Sequence, residues 1–183
     1  MSDAISDELS TFFDYMWGAQ PVAKVTFAYL PVKENGEWHS FMFAWPRQKA
    51  AIIRHVLKFS ALGADTYFAP ALFKAARPTK ENVLGSWVLW VDLDGNAAEP
   101  NLSDLSVPKP TLVVQSSLEG HEHWYWHLDK FLTDPALLED RNRALTYLLK
   151  ADNSGWDADQ VLRPIGTINH KRGLPVFVKD WEL

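Results

Sequence analysis

Between Val88 and Gly95 the chain reads Val-Leu-Trp-Val-Asp-Leu-Asp-Gly, an apolar run that closes by alternating acid with hydrophobe. In a strand, side chains alternate between faces, so Asp92 and Asp94 share one face while Val91 and Leu93 turn into a core. Two carboxylates on one face repel each other, and a hard divalent cation is the usual remedy. A second segment, Leu112 to Leu128, repeats the logic: Leu-Val-Val-Gln-Ser-Ser-Leu-Glu-Gly-His-Glu-His-Trp-Tyr-Trp-His-Leu. There His123, Tyr125 and His127 share a face opposite Trp124, Trp126 and Leu128. If the two strands pair, two aspartates and a histidine meet. Asp-Leu-Asp before Gly95-Asn96 is also what ends a strand at a turn. The second segment weighs toward chemistry, because Gln115, Ser116, Ser117, Gly120, His121 and His123 are groups that a core strand does not need.

The bulk numbers limit what that chemistry can be. At 183 residues the chain is one ordinary domain, large enough to bury a core. No apolar run approaches the roughly 20 residues needed to cross a bilayer, and the N-terminus lacks the basic and apolar regions of a signal peptide. A soluble protein of the cytoplasm is expected. There are no cysteines, so any metal must be held by oxygen and imidazole, without thiolate. A net charge of −5 argues against coating nucleic acid by electrostatics alone, but not against a local groove. Most of the nine tryptophans are expected in the core, with a few available to stack on bases.

Along the chain, Ile5, Leu9, Phe12, Phe13 and Met16 predict an amphipathic helix over 3–17, ended by Pro21. Val22 to Leu30 and Trp38 to Trp45 predict a hairpin around the Glu34-Asn35-Gly36 turn. Pro46 opens a helix carrying Ile52, Ile53, Val56, Leu57 and Ser60, closed by Gly63. Asp65 to Phe68 reads as a short strand. Lys74, Arg77 and Lys80 read as a basic surface loop, and Asn96 to Pro110 as a second loop. Thr133-Asp134-Pro135 starts a helix with Leu138, Leu145, Leu148 and Leu149 as its buried stripe. One more strand is expected over Leu174 to Val178. Helices mixed with antiparallel-leaning strands, without regular alternation, make an α+β pattern.

A third segment runs from Ala151-Asp152 through Asp157 and Asp159 to Leu162-Arg163-Pro164-Ile165-Gly166-Thr167-Ile168-Asn169-His170-Lys171. With it the chain resembles the archaeo-eukaryotic primase superfamily, in particular the primase-polymerases of phages and plasmids. That family's pattern is acid-x-acid on a strand, then a serine- and glycine-bearing turn leading to His-x-Tyr-Trp-x-Leu, then a third aspartate, then Leu-Arg-x-Pro-Gly-Thr-x-Asn-x-Lys. It is matched in order by Asp92-Leu93-Asp94, by Ser116-Ser117 with Gly120 and His123 to Leu128, by Asp152, and by Leu162 to Lys171. Two departures stand out. The serine-to-histidine turn is one residue longer, so the following Tyr-Trp selects His123 over His121. Pro-Gly is spelled Pro164-Ile165-Gly166.

The resemblance implies a two-lobed α+β catalytic core with an RRM-like palm, an N-terminal αβ lobe over about 1–85 and a motif-bearing lobe over about 86–183. It implies template-directed nucleotidyl transfer, as DNA primase or DNA polymerase, in phage or plasmid replication. Asp92, Asp94 and Asp152 would hold two magnesium or manganese ions, with Asp157 the second choice for the third acid and Asp159 surplus. His123, Arg163 and Lys171, with Ser117 as a weaker candidate, would contact the phosphates of an NTP or dNTP. A single-stranded DNA template and a helicase or template-binding region would be the partners. His121 and His127 become neighbours of the site. Two other readings compete. One is a rolling-circle or relaxase nuclease using His121-Glu122-His123 and Tyr147, for which Glu122 is the wrong residue between the histidines. The other is a catalytically silent, primase-like DNA-binding initiator module.

Overall fold

The computed structural model describes residues 3–95 and 102–182. Its elements run in the order α1 (Asp3–Trp17), β1 (Thr26–Tyr29), β2 (Val32–Glu34), β3 (Glu37–His39), β4 (Met42–Trp45), α2 (Lys49–Ala61), β5 (Asp65–Thr66) and β6 (Leu72–Phe73). After a 3-10 turn at Lys80–Asn82 come β7 (Val83–Asp94), α3 (Leu102–Leu105), β8 (Leu112–Gln115), β9 (His121–Leu132), α4 (Pro135–Leu149), β10 (Ile168–Asn169), β11 (Leu174–Pro175) and β12 (Phe177–Trp181). Seven strands form one antiparallel sheet in the order β12-β8-β9-β7-β6-β1-β4, while β3-β2-β5 and β10-β11 form two small sheets. The α+β expectation holds. Among the described residues no helix is long and apolar enough to cross a membrane.

Strand β7 is the spine of the large sheet. It pairs with β6 through Val83 and Gly85, then with β9 from Ser86 to Asp94. The hand-over needs a glycine: Gly85 has φ +149°, and a Cβ there would lie 2.1 Å from the Leu132 carbonyl oxygen. Beyond the hand-over, the edge of β7 that faces away from β9 has no strand partner among the described residues. Helix α4 and the turn after it cover this edge. The Asn142 side chain accepts from the Trp90 backbone N–H at 3.1 Å, and the Asp152 N–H donates to the Asp92 carbonyl at 2.9 Å. An uncovered sheet edge is a template for aggregation, and a buried unpaired N–H costs free energy. That explains an asparagine with no solvent exposure on α4.

Both faces of this part of the sheet are covered. Leu9, Phe12, Phe13, Met16 and Trp17 of α1 are fully buried, in one core with Val88, Trp90, Leu112, Val114 and Tyr125. Each such side chain contributes roughly 2 kcal/mol of burial. On the opposite face Val91, Leu93, Val113, Trp124 and Trp126 gather with Leu149. The alternation along β7 is thus the one expected, with Val91 and Leu93 turned into a core.

Several expectations need correction. The 22–45 hairpin splits: β1 pairs with β4 in the large sheet, whereas β2 and β3 close the Asn35-Gly36 turn in a separate sheet. One hairpin feeds two sheets because the chain bends between Leu30 and Val32 and again before Met42. Pro46 lies in a turn, and α2 begins at Lys49. On α4 the buried stripe is Leu138, Asn142, Thr146 and Leu149, and Leu148 is exposed. Polar Asn142 and Thr146 join the buried stripe because the helix packs on a strand edge, which offers hydrogen-bonding groups as well as apolar surface. Strand β6 and the helix at 102–105 were not anticipated, and residues 96–101 of the expected loop lie outside the described residues. Lys80 is tied to Glu139 and Asp157 at 3.0 and 2.5 Å.

Replacing Asn142 by leucine strands the Trp90 N–H at this edge. We expect a loss of about 1–3 kcal/mol, measured as a lowered urea midpoint with an unchanged slope.

Candidate functional site

The β7–β9 register sets Asp92 opposite His123 and Asp94 opposite His121. Asp94, Gly95, Gly120 and His121 close this end of the ladder, where the Gly95 N–H donates to the Gly120 carbonyl at 3.0 Å. Gly95 has φ +60°, and a Cβ on it would approach the His121 ring to 2.5 Å. Glycine here lets the ring fold over the turn, where His121 Nδ1 lies 3.1 Å from Asp94 Oδ1.

A cleft of about 260 Å³ opens over this end of the sheet. Asp92, Asp94, Ser117, His123, Arg163 and Lys171 all line it, together with Tyr67, Ser116, His121, Asn169 and Arg172. The sequence reading thus named residues from β7, β8–β9 and the 160s that meet in one cavity. It set His121 aside, yet that ring also lines the cleft. His127 is elsewhere, packed between Tyr15 and Trp87 with ring centroids at 4.9 and 5.9 Å. Tyr147, the tyrosine of the nuclease reading, is exposed on α4 and does not line the cleft.

Asp92 is held under strain of charge. Burial first, and then the nearby Asp94 and Asp152 carboxylates, push its carboxyl up to about 7, while Arg163 acts in the opposite direction. His123 is driven the other way, to about 3, by burial and by the Arg163 charge, so its ring is neutral at pH 7. Its Nε2 is 3.6 Å from Asp92 Oδ1, beyond hydrogen-bonding distance, and its buried Nδ1 has no partner among the described residues. Both groups are thus held toward their neutral forms, the acid by burial and its neighbouring carboxylates, the imidazole by burial and Arg163.

Asp152 is brought to Asp92 through the backbone hydrogen bond of the β7 edge, and its charge is felt there. Its carboxylate is turned onto its own loop, accepting from the Ser154 N–H at 3.0 Å and the Ser154 hydroxyl at 2.9 Å. It does not line the cleft in this arrangement. Among the described residues, no three acidic or imidazole side chains converge as a ready-made metal cage. Asp157 is engaged with Lys80 at the surface, 2.5 Å away.

The cationic side of the cleft is built around a residue that the motifs did not reveal. Asp65 accepts from Arg163 Nη1 at 2.6 Å and from the His170 backbone N–H at 2.8 Å. It thereby fixes both the guanidinium and the turn that carries Lys171 and Arg172. The guanidinium also donates to the Tyr67 hydroxyl at 2.9 Å and lies 4.6 Å over that ring. Asn169 donates to the Ser116 carbonyl at 3.1 Å, joining this turn to the one before His123, and its Oδ1 is buried without a partner. The β5–β2 pairing placed Asp65, and only the folded chain shows it: a lone Asp-Thr after a helix carries no signal of its own.

Residues 77–155 match the model of the Replicase family, a stretch that holds β7, β9 and Asp152. No curated protein matches the chain. Among solved structures, the archaeo-eukaryotic primase domain of the cyanophage S-2L primase-polymerase superposes with a TM-score of 0.71 at 10% identity, covering 95% of this chain and 89% of that one. Primase RepB′ superposes with a TM-score of 0.70 at 16% identity over 97% of this chain, which spans 57% of that protein. The catalytic domain of RepB′ in complex with initiator DNA gives 0.69 at 17% identity, covering 97% and 85%. The likeness therefore runs through all the elements that build the cleft, and this chain has the archaeo-eukaryotic primase fold that its three motifs resemble.

Proposed function

We propose that the cleft is a nucleotidyltransferase site that makes or extends a primer on a single-stranded DNA template in replication. The observation that carries this reading is the meeting of two unlike half-sites in one cavity. Asp92 and Asp94 line it together with Arg163, Lys171, Arg172 and His123. A chain of net charge −5 concentrates three fixed cations here against two lining carboxylates. A triphosphate with its metal suits both sets of groups at once. The solved RepB′ catalytic domain is described with initiator DNA, which supports DNA as the template here.

In this reading Asp92 and Asp94, joined by Asp152 once its carboxylate leaves Ser154, hold divalent magnesium or manganese. Oxygen-only ligands suit these hard cations, and the charge deficit at Asp92 is what such an ion relieves. A metal pair held there would lower the pKa of the attacking 3′ hydroxyl and offset charge on the leaving pyrophosphate. The protein's own groups bind and orient. The neutral His123 ring, which lines the cleft, donates to a phosphate oxygen. Arg163, already aimed by Asp65 and Tyr67, presents its remaining N–H groups to the same phosphates, and Lys171 adds a point charge. Ser117, on the turn before β9, offers a hydroxyl to them. Of the two lobes, over about 1–85 and 86–183, the first lends Asp65 and Tyr67 to hold Arg163, while the acids, His123, Arg163 and Lys171 all come from the second.

Incubation with a single-stranded template, manganese and labelled ribo- or deoxyribonucleotides tests the reading. Asp92→Asn should lower product formation at least about 100-fold while the protein stays folded. Undiminished synthesis by that variant would end the reading. His123→Ala should weaken nucleotide use far more than template binding.

The charge deficit gives a second measurement that does not depend on turnover. The folded-state pKa of Asp92 is raised to about 7 from an ordinary 3.8, so its contribution to metal-free stability is greatest at low pH and is lost as pH rises through 7. In chelator at pH 8, Asp92→Asn should be more stable than the wild type by about 2 kcal/mol, and the gap should shrink on acidification to pH 5. Manganese should raise the melting temperature of the wild type and leave that of Asp92→Asn nearly unmoved.

A further inference from the structure

The small β3-β2-β5 sheet is joined to the cleft through Tyr67, just past β5. Val32 and Thr66, directly opposite each other, are buried. The next row is Trp38, Lys33 and Asp65, paired across the three strands, and Tyr67 lies two residues beyond Asp65 on the same side. Trp38 is 52% exposed. Its ring stands 4.9 Å from that of Tyr67, tilted by 44°, and Lys33 Nζ is 5.5 Å from its centroid. Tyr67 in turn lines the cleft and carries the Arg163 guanidinium on its ring. The face is therefore a continuous row from open solvent to the catalytic wall: an exposed indole with a cation beside it, then a phenol ring, then an arginine.

A surface tryptophan is costly to leave in water, and the bland account is that Trp38 merely shields Tyr67. Three things go beyond shielding. The indole keeps about half its surface in solvent although Tyr67 is already covered by Arg163. The row carries a cation beside each ring, Lys33 at the indole and Arg163 at Tyr67, with Asp65, the acid within it, ion-paired to Arg163 at 2.6 Å. And whereas Trp17, Trp45, Trp90, Trp124 and Trp126 are buried, this one stands on a hairpin beside the cleft.

We infer that this face is a binding track for single-stranded nucleic acid, in which a base stacks on Trp38 with Lys33 at its phosphate. The adjoining nucleotide lies toward Tyr67 and the cleft mouth. The inference rests on the nucleotidyltransferase reading for its occupant and adds the path by which a strand reaches that site. Stacking on an aromatic side chain tolerates any base, which is what a template track requires, and alternation of ring and cation is its usual chemistry. A free nucleotide in the cleft would touch Tyr67 without reaching the exposed indole. Dependence on Trp38 therefore marks a strand as the occupant.

The test is fluorescence anisotropy of a labelled oligothymidine with the full chain, in chelator, comparing wild type, Trp38→Ala and Trp38→Phe, with binding of a fluorescent dNTP measured in manganese alongside. Trp38→Ala should weaken the oligonucleotide on the order of tenfold. Trp38→Phe should recover most of the loss, and dNTP affinity should change less than about twofold. An oligonucleotide carrying 5-iodouracil should photo-crosslink to the peptide containing Trp38. Equal oligonucleotide affinity in wild type and Trp38→Ala, or no wild-type binding at all, overturns the track. So does a parallel loss of dNTP binding, which would make Trp38 part of the nucleotide pocket. If Trp38→Ala lowers strand affinity while the wild type makes no product, the track stands and the nucleotidyltransferase reading falls.

Discussion

The pairing of β7 with β9 places a carboxylate directly opposite an imidazole at the open end of a ladder whose other rows are among the most deeply buried in the protein. Val88, Trp90 and Tyr125 anchor one face, and Val91, Trp124 and Trp126 the other, so the register cannot slip by one residue without turning a row of indoles into solvent. Asp92 and His123 are therefore held by packing done elsewhere along the same strands. Even the free edge of β7 serves this end. The hydrogen bond from Asp152 to the Asp92 carbonyl closes the edge and sets a third acid next to the first.

That rigidity explains how an unfavourable electrostatic arrangement persists. Left to itself, Asp92 would move away from Asp94 and Asp152 or into water, and the ladder prevents both. Natural proteins stand only a little above the stability that they need, and functional sites are where local cost is tolerated. Opposite the acids, Arg163 is held with equal firmness by Asp65 and Tyr67. A flexible lysine in its place would be drawn across to the aspartates. Asp65 thus keeps the two half-sites apart as much as it orients one of them.

What could be read in advance follows the range of the interactions. The alternation of 88–95 and 121–128 is local, and it foretold which side chains face which way. The capping Asp134 with Pro135 is local too, and α4 begins there. The motif residues from three distant segments came together because the family pattern already encodes a long-range fact that no single segment contains. What stayed hidden depends on a partner far along the chain. Asn142 occupies a helix position that periodicity alone would give to a leucine, and its reason is the Trp90 N–H. Leu148 fits the heptad-like spacing yet is exposed, because α4 meets an edge and not a broad face. Asp65 acquires meaning only through residues 163 and 170. His121 and His123 look alike on the page, and burial separates them: His123 is enclosed and neutral, whereas His121 lies nearer solvent and is turned onto Asp94.

The same reasoning limits what the third acid can do at rest. Asp152 has both carboxylate oxygens engaged by Ser154, an arrangement that satisfies the group locally and keeps a third negative charge from closing on the pair at Asp92. Bringing it into the cleft means breaking two hydrogen bonds whose net worth is about 1 kcal/mol each, a small barrier against the attraction of a divalent cation for a carboxylate. The Asp152 carboxylate is thus satisfied on its own loop while its charge still reaches Asp92.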